Sequence, residues 1–140
     1  MPDTLTPEQR HRCMAAVKGA NTKPELIVRS LVHCLGYRFR LHQRNLPGCP
    51  DLVFPSRGKI IFVHGCFWHQ HSRCRRAVRP VTHADFWNAK LQGNRDRDRR
   101  VRRALHRMSW EILIVWECQT QHPDTLAPKL ARFLDDPAGI

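Results

Sequence analysis

Apolar residues follow two different spacings along this chain, and each spacing predicts one kind of element. In residues 24–35 they recur every three or four positions, which is typical of an amphipathic helix. In residues 51–54, 59–63 and 110–116 they form short, almost continuous runs, which are typical of strands. A Pro-Ser-Arg-Gly sequence at 55–58 favours a turn, so the first two runs are predicted to pair as a hairpin.

Capping residues predict the remaining helices, including a cap at Thr125 for the last one. Thr6 followed by Pro7 and Gln9 has the form of an N-cap with its capping-box partner, so a helix is predicted over residues 7–17. The other predicted elements are a helix capped by Thr22 and ended by Gly36, a strand over 37–41, a helix over 84–108 and a last helix from Thr125 to about residue 134. Together they predict an α/β fold, a small mixed sheet flanked by helices, in a single domain of residues 1–140.

The net charge adds a prediction about the partner. The chain has 24 Lys and Arg residues against 12 Asp and Glu residues, which gives a net charge of +12. A field of this sign attracts polyanions, and nucleic acid is the leading candidate, with nonspecific basicity of the ribosomal kind as the alternative. The chain has no apolar run of roughly 18 residues, so we expect no membrane-spanning helix. The amino terminus does not resemble a signal peptide, so we expect the protein in the cytoplasm.

The expected cytoplasmic location determines how the cysteines are interpreted. The chain has 6 cysteines, and in a cytoplasmic protein they favour metal ligation or free thiols over disulfides. Cys13, Cys34 and Cys49 are interpreted as small hydrophobic residues or mobile thiols, and we assign them no role.

A candidate zinc site combines thiols with an imidazole. Cys66, His71 and Cys74 are close in sequence, and Cys118 directly follows the predicted strand over 110–116. Thiolate and imidazole ligands suit a closed tetrahedral zinc site, which would order a polar loop. The alternative is that Cys66 and Cys118 are buried apolar thiols and that His71 is incidental.

A candidate magnesium site lies at the start of the first predicted hairpin strand. Asp51 opens this strand, where a carboxylate can hold Mg²⁺ against a phosphate. The main-chain carbonyl of Val63 on the paired strand is a candidate second ligand, and Glu25 is a candidate outer-sphere carboxylate. The alternative is that Asp51 is a cap or turn residue, which is the commoner role for an Asp at a strand start.

Two histidines and a third carboxylate are candidates for proton transfer. The unperturbed pKa values of His64 and His69 place them near working pH, so either could act as an acid or a base. Asp98 could orient one imidazole and stabilise its protonated form. Alternatively, the histidines are structural, and Asp98 is one member of a surface lattice of ion pairs with its neighbouring arginines.

Aromatic residues near these histidines are candidates for DNA contact. Phe67, Trp68 and Trp87 are interpreted as side chains that stack on bases or wedge between base pairs. Phe86 is predicted instead to cover the core. The arginines of residues 95–103 are predicted to contact phosphates.

Several of these motifs together resemble one known family. The sequences at 46–51, 63–69, 85–87, 94–100 and 110–118, with Met14 and the Thr22 to Glu25 region, are similar to those of the very short patch repair endonucleases. The likeness spans about residues 8–120, and the Phe-Trp-His sequence at 67–69 is highly specific. At position 63 this chain has Val where Thr is familiar in the family, and its loop after His71 is one residue longer.

The resemblance implies a fold, an activity and partners. The fold is restriction-endonuclease-like, a variant of the PD-(D/E)XK superfamily, with residues 1–20 as a DNA-contacting helix and 21–140 as the catalytic core. The activity is a Mg²⁺-dependent nick on the 5′ side of the thymine in a T·G mismatch that arises from deamination of 5-methylcytosine. We therefore expect a monomer with a structural zinc ion that acts on double-stranded DNA and accompanies a cytosine-5 DNA methyltransferase.

The resemblance also implies a role for each candidate residue. Asp51 would bind Mg²⁺ with help from the Val63 carbonyl, and Glu25 would hold metal-bound waters. His69 backed by Asp98 would be the base, and His64 would contact the scissile phosphate or act as the acid. The remaining implied roles are the zinc ligands Cys66, His71, Cys74 and Cys118, and the DNA contacts Phe67, Trp68, Trp87 and Met14.

Two other functions compete with this one. A noncatalytic, zinc-ordered nucleic-acid-binding module would bind with strong salt dependence and would not cut. A related endonuclease would cut intact sites or another mismatch.

Overall fold

The computed structural model describes residues 6–18 and 23–136, and the predicted cap Thr22 lies outside these ranges. Among them, the helices are α1 (Pro7–Lys18), α2 (Pro24–Cys34), α3 (Ala84–Arg107) and α4 (Pro123–Asp135). The strands are β1 (Arg40–Leu41), β2 (Leu52–Phe54), β3 (Lys59–His64) and β4 (Glu111–Trp116). No helix in the described part of the chain is long and apolar enough to cross a membrane.

The four strands form one mixed sheet in the order β1-β2-β3-β4. The pairs β1–β2 and β2–β3 are antiparallel, whereas β3 and β4 are parallel, with Lys59 opposite Glu111 and His64 opposite Trp116. The predicted small mixed sheet and its hairpin are therefore confirmed. Because parallel strands end at the same edge, the loops that follow His64 and Trp116 begin side by side.

Helices cover both faces of the sheet. On one face α1, α2 and α4 enclose the larger core, which includes Leu31, Ile61 and Leu130. On the other face α3 packs through Leu105 against a smaller cluster that includes Phe62. The alternation along β3 follows from the strand repeat of two, which sends neighbouring side chains to opposite faces.

Backbone capping explains where the elements begin and end. Thr6 and Gln9 exchange side-chain to backbone hydrogen bonds of 3.1 and 2.9 Å, which confirms the predicted capping box. The strand predicted over 37–41 is only β1, because the amide of Tyr37 donates to Val32 O at the end of α2 instead of pairing in the sheet. The last helix begins at Pro123, which suits the first helical position, so the prediction of a cap at Thr125 was wrong.

A disulfide joins Cys13 to Cys34, so the prediction that the cysteines form no disulfide was wrong. The fully buried Cys13 lies on α1, and Cys34 ends α2, which packs on α1. Their Cα atoms are 5.6 Å apart, within the range that a disulfide spans. Tertiary packing, which the spacing of cysteines does not reveal, brings the pair together.

Candidate active site and metal centres

Asp51 is held where β2 begins, at the edge shared with β3. The Val63 amide donates a 2.7 Å hydrogen bond to Asp51 Oδ2. Burial raises the pKa of Asp51, the Val63 hydrogen bond lowers it, and the nearby Glu25 carboxylate raises it further. Two carboxylates so close together repel each other, and a bound cation would relieve that repulsion.

Strand register also places His42, which the sequence reasoning missed, beside Asp51. The β1–β2 register pairs Leu41 with Leu52, which places His42 opposite Asp51. The His42 imidazole contacts Glu25 Oε1, and its Nε2 lies 3.9 Å from Asp51 Oδ1. One potential ligand atom from each of these three residues lies within 4.8 Å of the others. The signal that could have found His42 is this register, which a strand of two residues is too short to reveal.

His64 and His69 lie face to face. Their rings are parallel to within 9° and their centroids are 3.8 Å apart. Burial and the neighbouring His69 lower the pKa of His64 from 6.5 to about 4, so His64 is neutral at pH 7. Its buried Nδ1 has no hydrogen-bond partner within the part of the chain that the structure describes.

Asp98 orients the second imidazole. Its Oδ2 lies 2.6 Å from His69 Nδ1, and both side chains are partly buried. This contact joins Asp98 to a histidine, so Asp98 is not only a member of a lattice of surface ion pairs with arginines. With Nδ1 bound to the carboxylate, His69 Nε2 is left for a substrate or a water molecule.

A cleft of about 240 Å³ brings together four of the five predicted catalytic residues, and Glu25 lies outside its lining. Its walls include Asp51, His64, His69 and Asp98. The loop before β2 closes one side through Gly48, whose φ of 77° and close approach to α3 leave no room for a side chain. A neighbouring cavity of about 310 Å³ shares both histidines and is lined by Arg95, Arg99 and Arg102 of α3. Guanidinium groups beside the histidines favour an anionic ligand such as phosphate.

The four predicted zinc ligands converge beyond the ends of β3 and β4. One ligand atom from each of Cys66, His71, Cys74 and Cys118 lies within 4.8 Å of the others. His71 Nδ1 is 3.6 Å from Cys66 Sγ and 3.5 Å from Cys118 Sγ. The His71 ring is stacked on Trp116 with a centroid separation of 4.2 Å, which fixes its direction. The donor set and its closure suit a tetrahedral thiophilic ion.

The surroundings of the thiols also suit metal binding. Burial raises the pKa of the Cys66 thiol to about 12, so without a cation this group stays protonated. The Cys118 amide approaches Cys66 Sγ at 3.4 Å and could support a thiolate there. A backbone hydrogen bond from Arg76 lowers the pKa of Cys74.

The aromatic residues form one exposed cluster next to the loop that carries Cys66, His71 and Cys74. Phe67 meets Trp68 and Trp87 with ring centroids 5.2 and 5.6 Å apart, and Phe86 extends the cluster from α3. Trp68 is 48% exposed, whereas Phe67 and Trp87 are partly buried. Phe86 is 61% exposed, so the prediction that it covers the core was wrong: the first turn of α3 points it outward.

Met14 is placed differently from these aromatics. It is partly buried and packs against the larger core from α1.

The similarity of this chain to known proteins covers residues of the cleft. The family model of "DNA mismatch endonuclease Vsr" matches residues 2–76, which include Asp51 and both histidines of the cleft. The chain is 47% identical over 135 residues to the type II nicking enzyme V.XorIIP of Xanthomonas oryzae, across 96% of this chain and 98% of that protein. It is 39% identical over 118 residues to the DNA mismatch endonuclease Vsr of Escherichia coli, across 84% of this chain and 75% of that protein. The chain therefore belongs to the Vsr family of DNA mismatch endonucleases.

Proposed function

We propose that this protein is a Mg²⁺-dependent endonuclease that nicks DNA on the 5′ side of the thymine in a T·G mismatch. The observation that carries the proposal is the single cleft in which Asp51 faces His64 and the His69–Asp98 pair. The names of the relatives, a mismatch endonuclease and a nicking enzyme, support the same reaction class. We further propose that the fold is a PD-(D/E)XK variant and that the enzyme acts as a monomer alongside a cytosine-5 methyltransferase.

The residues around Asp51 fit a hard divalent cation. Within a strand, the N–H and C=O of one residue point the same way, so the Val63 carbonyl lies on the side where its amide meets Asp51. Asp51 and this carbonyl would hold Mg²⁺, with Glu25 binding its waters. When bound, the cation supplies positive charge that stabilises the phosphate oxygens during displacement.

His69 is proposed as the base. Asp98 binds Nδ1, so the free Nε2 can accept the proton of the attacking water. The carboxylate then stabilises the imidazolium that forms. Asp98 is a positioning residue in this scheme, because it acts through the imidazole.

His64 is proposed to hold the scissile phosphate. A neutral imidazole has one N–H to donate, and the lowered pKa keeps His64 neutral in the free enzyme. Binding of a negatively charged phosphate would favour the protonated form and draw the His64 pKa upward. Arg102, which lines both cavities, would add a positively charged contact to the same phosphate.

The exposed aromatic cluster is proposed to sense the mismatch. Unstacking costs less at a mismatch than at a paired step, so a wedge formed by Trp68 with Phe67 and Trp87 would favour damaged sites through deformation energy. The positive charge of +12 would attract DNA without regard to sequence. Zinc held by Cys66, His71, Cys74 and Cys118 would order the loop that carries the cluster.

The reaction is tested with strand-labelled duplexes and the Asp51→Ala variant. We expect nicking of a T·G duplex to fall on the order of 100-fold or more, because the metal stabilises the transition state by several kcal/mol. Binding should survive, and omission of Mg²⁺ should have the same effect on the unaltered protein. The exposed Asp135, which ends α4 and lines neither cavity, provides the matched control Asp135→Ala.

Two results would decide against the proposal. If Asp51→Ala cuts at the normal rate, Asp51 is not a ligand of the catalytic metal. Equal cutting of T·G, paired and other mismatched duplexes would remove the specificity, and binding without any metal-dependent cut would favour a noncatalytic module.

A further inference from the structure

We propose that His42 is a ligand of the cation at Asp51 and that its nitrogen gives the site a preference for Mn²⁺ over Mg²⁺. The inference rests on the proposed function, because it assumes a cation at Asp51. It goes beyond that function by adding a third protein side chain and by predicting which dication binds more tightly.

Three separate elements bring the donors together. Glu25 lies in the first turn of α2, His42 directly follows β1, and Asp51 directly precedes β2. The antiparallel register places His42 opposite Asp51, and the His42 amide donates a 3.3 Å hydrogen bond to Asp51 O. The position of His42 beside the carboxylates is therefore fixed by the sheet itself.

The orientation of the donor atoms leaves one common point. Asp51 Oδ2 is occupied by the Val63 amide, so Oδ1 is the oxygen that faces His42. His42 Nε2 contacts Glu25 Oε1 and lies 3.9 Å from Asp51 Oδ1. Ligands of one cation with bonds of about 2.1 Å are separated by about 3 to 4 Å, so His42 Nε2 and Asp51 Oδ1 are spaced to bind the same ion, with Glu25 beside them to hold its waters.

The backbone conformation of His42 sets the direction of its side chain. Its φ of 46° lies in the left-handed region, which Asn, Asp and His adopt more readily than other non-glycine residues. This conformation turns the imidazole towards Glu25, while its side chain stays 47% exposed and open to an incoming ion.

The donor chemistry determines the metal preference. Carboxylate and carbonyl oxygens suit both Mg²⁺ and Mn²⁺, whereas an imidazole nitrogen contributes affinity to transition metals and little to Mg²⁺. A site built only from Asp51, the Val63 carbonyl and Glu25 would discriminate weakly between the two ions. Addition of His42 should therefore raise the affinity for Mn²⁺ selectively.

The test measures Mn²⁺ bound to the zinc-loaded protein by electron paramagnetic resonance. In the unaltered protein we expect nitrogen modulation of the Mn²⁺ signal from a coordinated imidazole. His42→Gln should abolish that modulation and weaken Mn²⁺ binding by about tenfold, with a much smaller change for Mg²⁺. His33→Gln, which alters an exposed histidine of α2 that lines neither cavity, is the matched control.

The outcomes separate this inference from the proposed function. If Asp51→Ala abolishes Mn²⁺ binding but His42→Gln keeps the nitrogen modulation and the affinity, His42 is not a ligand and only this inference fails. Loss of the modulation in His69→Gln instead would assign the nitrogen to the catalytic histidine, with the same consequence. If Asp51→Ala binds Mn²⁺ as tightly as the unaltered protein, the cation is not at Asp51 and the proposed function loses its metal.

Discussion

At the scale of single residues, the cleft assigns different states to two histidines in van der Waals contact. His64 is buried and kept neutral, whereas His69 is partly exposed and paired with Asp98. Stacked imidazoles do not readily carry two positive charges, so the pair favours one positive charge at most. In the proposed mechanism, the Asp98 carboxylate would place that charge on His69.

Asp98→Asn should lower nicking by about 10- to 100-fold with little change in DNA binding, because an amide can donate to Nδ1 and favour the wrong tautomer of His69. The measurement is single-turnover nicking across pH, where the acidic limb of the profile, which reports deprotonation of the base, should shift. Asp96→Asn is the matched control: Asp96 lies on the same helix and accepts a 3.1 Å hydrogen bond from Gln92 instead. Equal losses in both variants would contradict a role for Asp98 through His69.

The lowered pKa of His64 also predicts a dependence of stability on pH. In the unfolded chain this imidazole takes up a proton near pH 6.5, whereas in the folded chain it does so only near pH 4. The unfolded state therefore binds more protons between these values, and the free energy of unfolding should fall as pH decreases from about 6.5 to about 4. Above pH 6.5 the contribution should be constant.

Urea unfolding of the unaltered protein and of His64→Gln, measured at intervals across that range, checks this dependence. Any acid effect of the proposed metal at the cysteine cluster would be shared by both proteins, so the difference between the two curves isolates His64. A difference that stays flat from pH 4 to pH 7 would show that burial does not depress this pKa.

At the scale of elements, regular periodicity made most of the fold predictable. The apolar runs of β2, β3 and β4 and the capping box of α1 were identified from the sequence because each is set by neighbours in the chain. Cys13–Cys34 and the exposed position of Phe86 were not, because they depend on how helices pack. His42 was missed for the same reason, since its partners lie on α2 and β2.

The parallel pairing of β3 with β4 also explains why the zinc ligands could be proposed from sequence. Strands that end together place Cys66 and Cys118 in adjacent loops, although they are far apart along the chain. A metal held there would add to the contacts that already join the two loops, such as the hydrogen bond from the Cys66 amide to Glu117 and the stacking of His71 on Trp116.

Purified protein should contain about one equivalent of zinc, and Cys118→Ser should reduce that content and lower the melting temperature, since binding energy of a structural ion is folding energy. Elemental analysis and thermal unfolding provide the measurements. Cys49→Ser alters an exposed thiol outside the cluster and should change neither quantity. A fully folded protein without zinc would refute the structural role.

At the scale of the whole molecule, the basic residues and the aromatic cluster are suited to different kinds of DNA contact. The excess of basic residues attracts any duplex, while the exposed aromatic cluster offers an uncharged group that can enter the base stack. The cluster and the cleft are linked directly, because Asn94 on α3 donates a 3.0 Å hydrogen bond to Trp68 O and Asp98 lies one turn further along. One helix thus contacts both the aromatic cluster and the cleft.

Trp68→Ala should weaken binding to a T·G duplex by about 10- to 100-fold, since a stacked aromatic contributes roughly 1–3 kcal/mol. The slope of affinity against salt should not change, because the side chain neutralises no phosphate. Fluorescence titrations at several salt concentrations measure both quantities. Met108→Ala, which alters another exposed apolar residue just beyond the far end of α3, should have no effect on either.

The long crossover between β3 and β4 has a consequence for synthesis on the ribosome. A nascent chain that has emerged only as far as residue 90 holds Asp51 and both cleft histidines, but it has neither Asp98 nor Cys118. The paired edge that supports His64 also needs β4, so the proposed centre cannot assemble before α3 and β4 are complete. Prematurely terminated products are therefore expected to lack nicking activity.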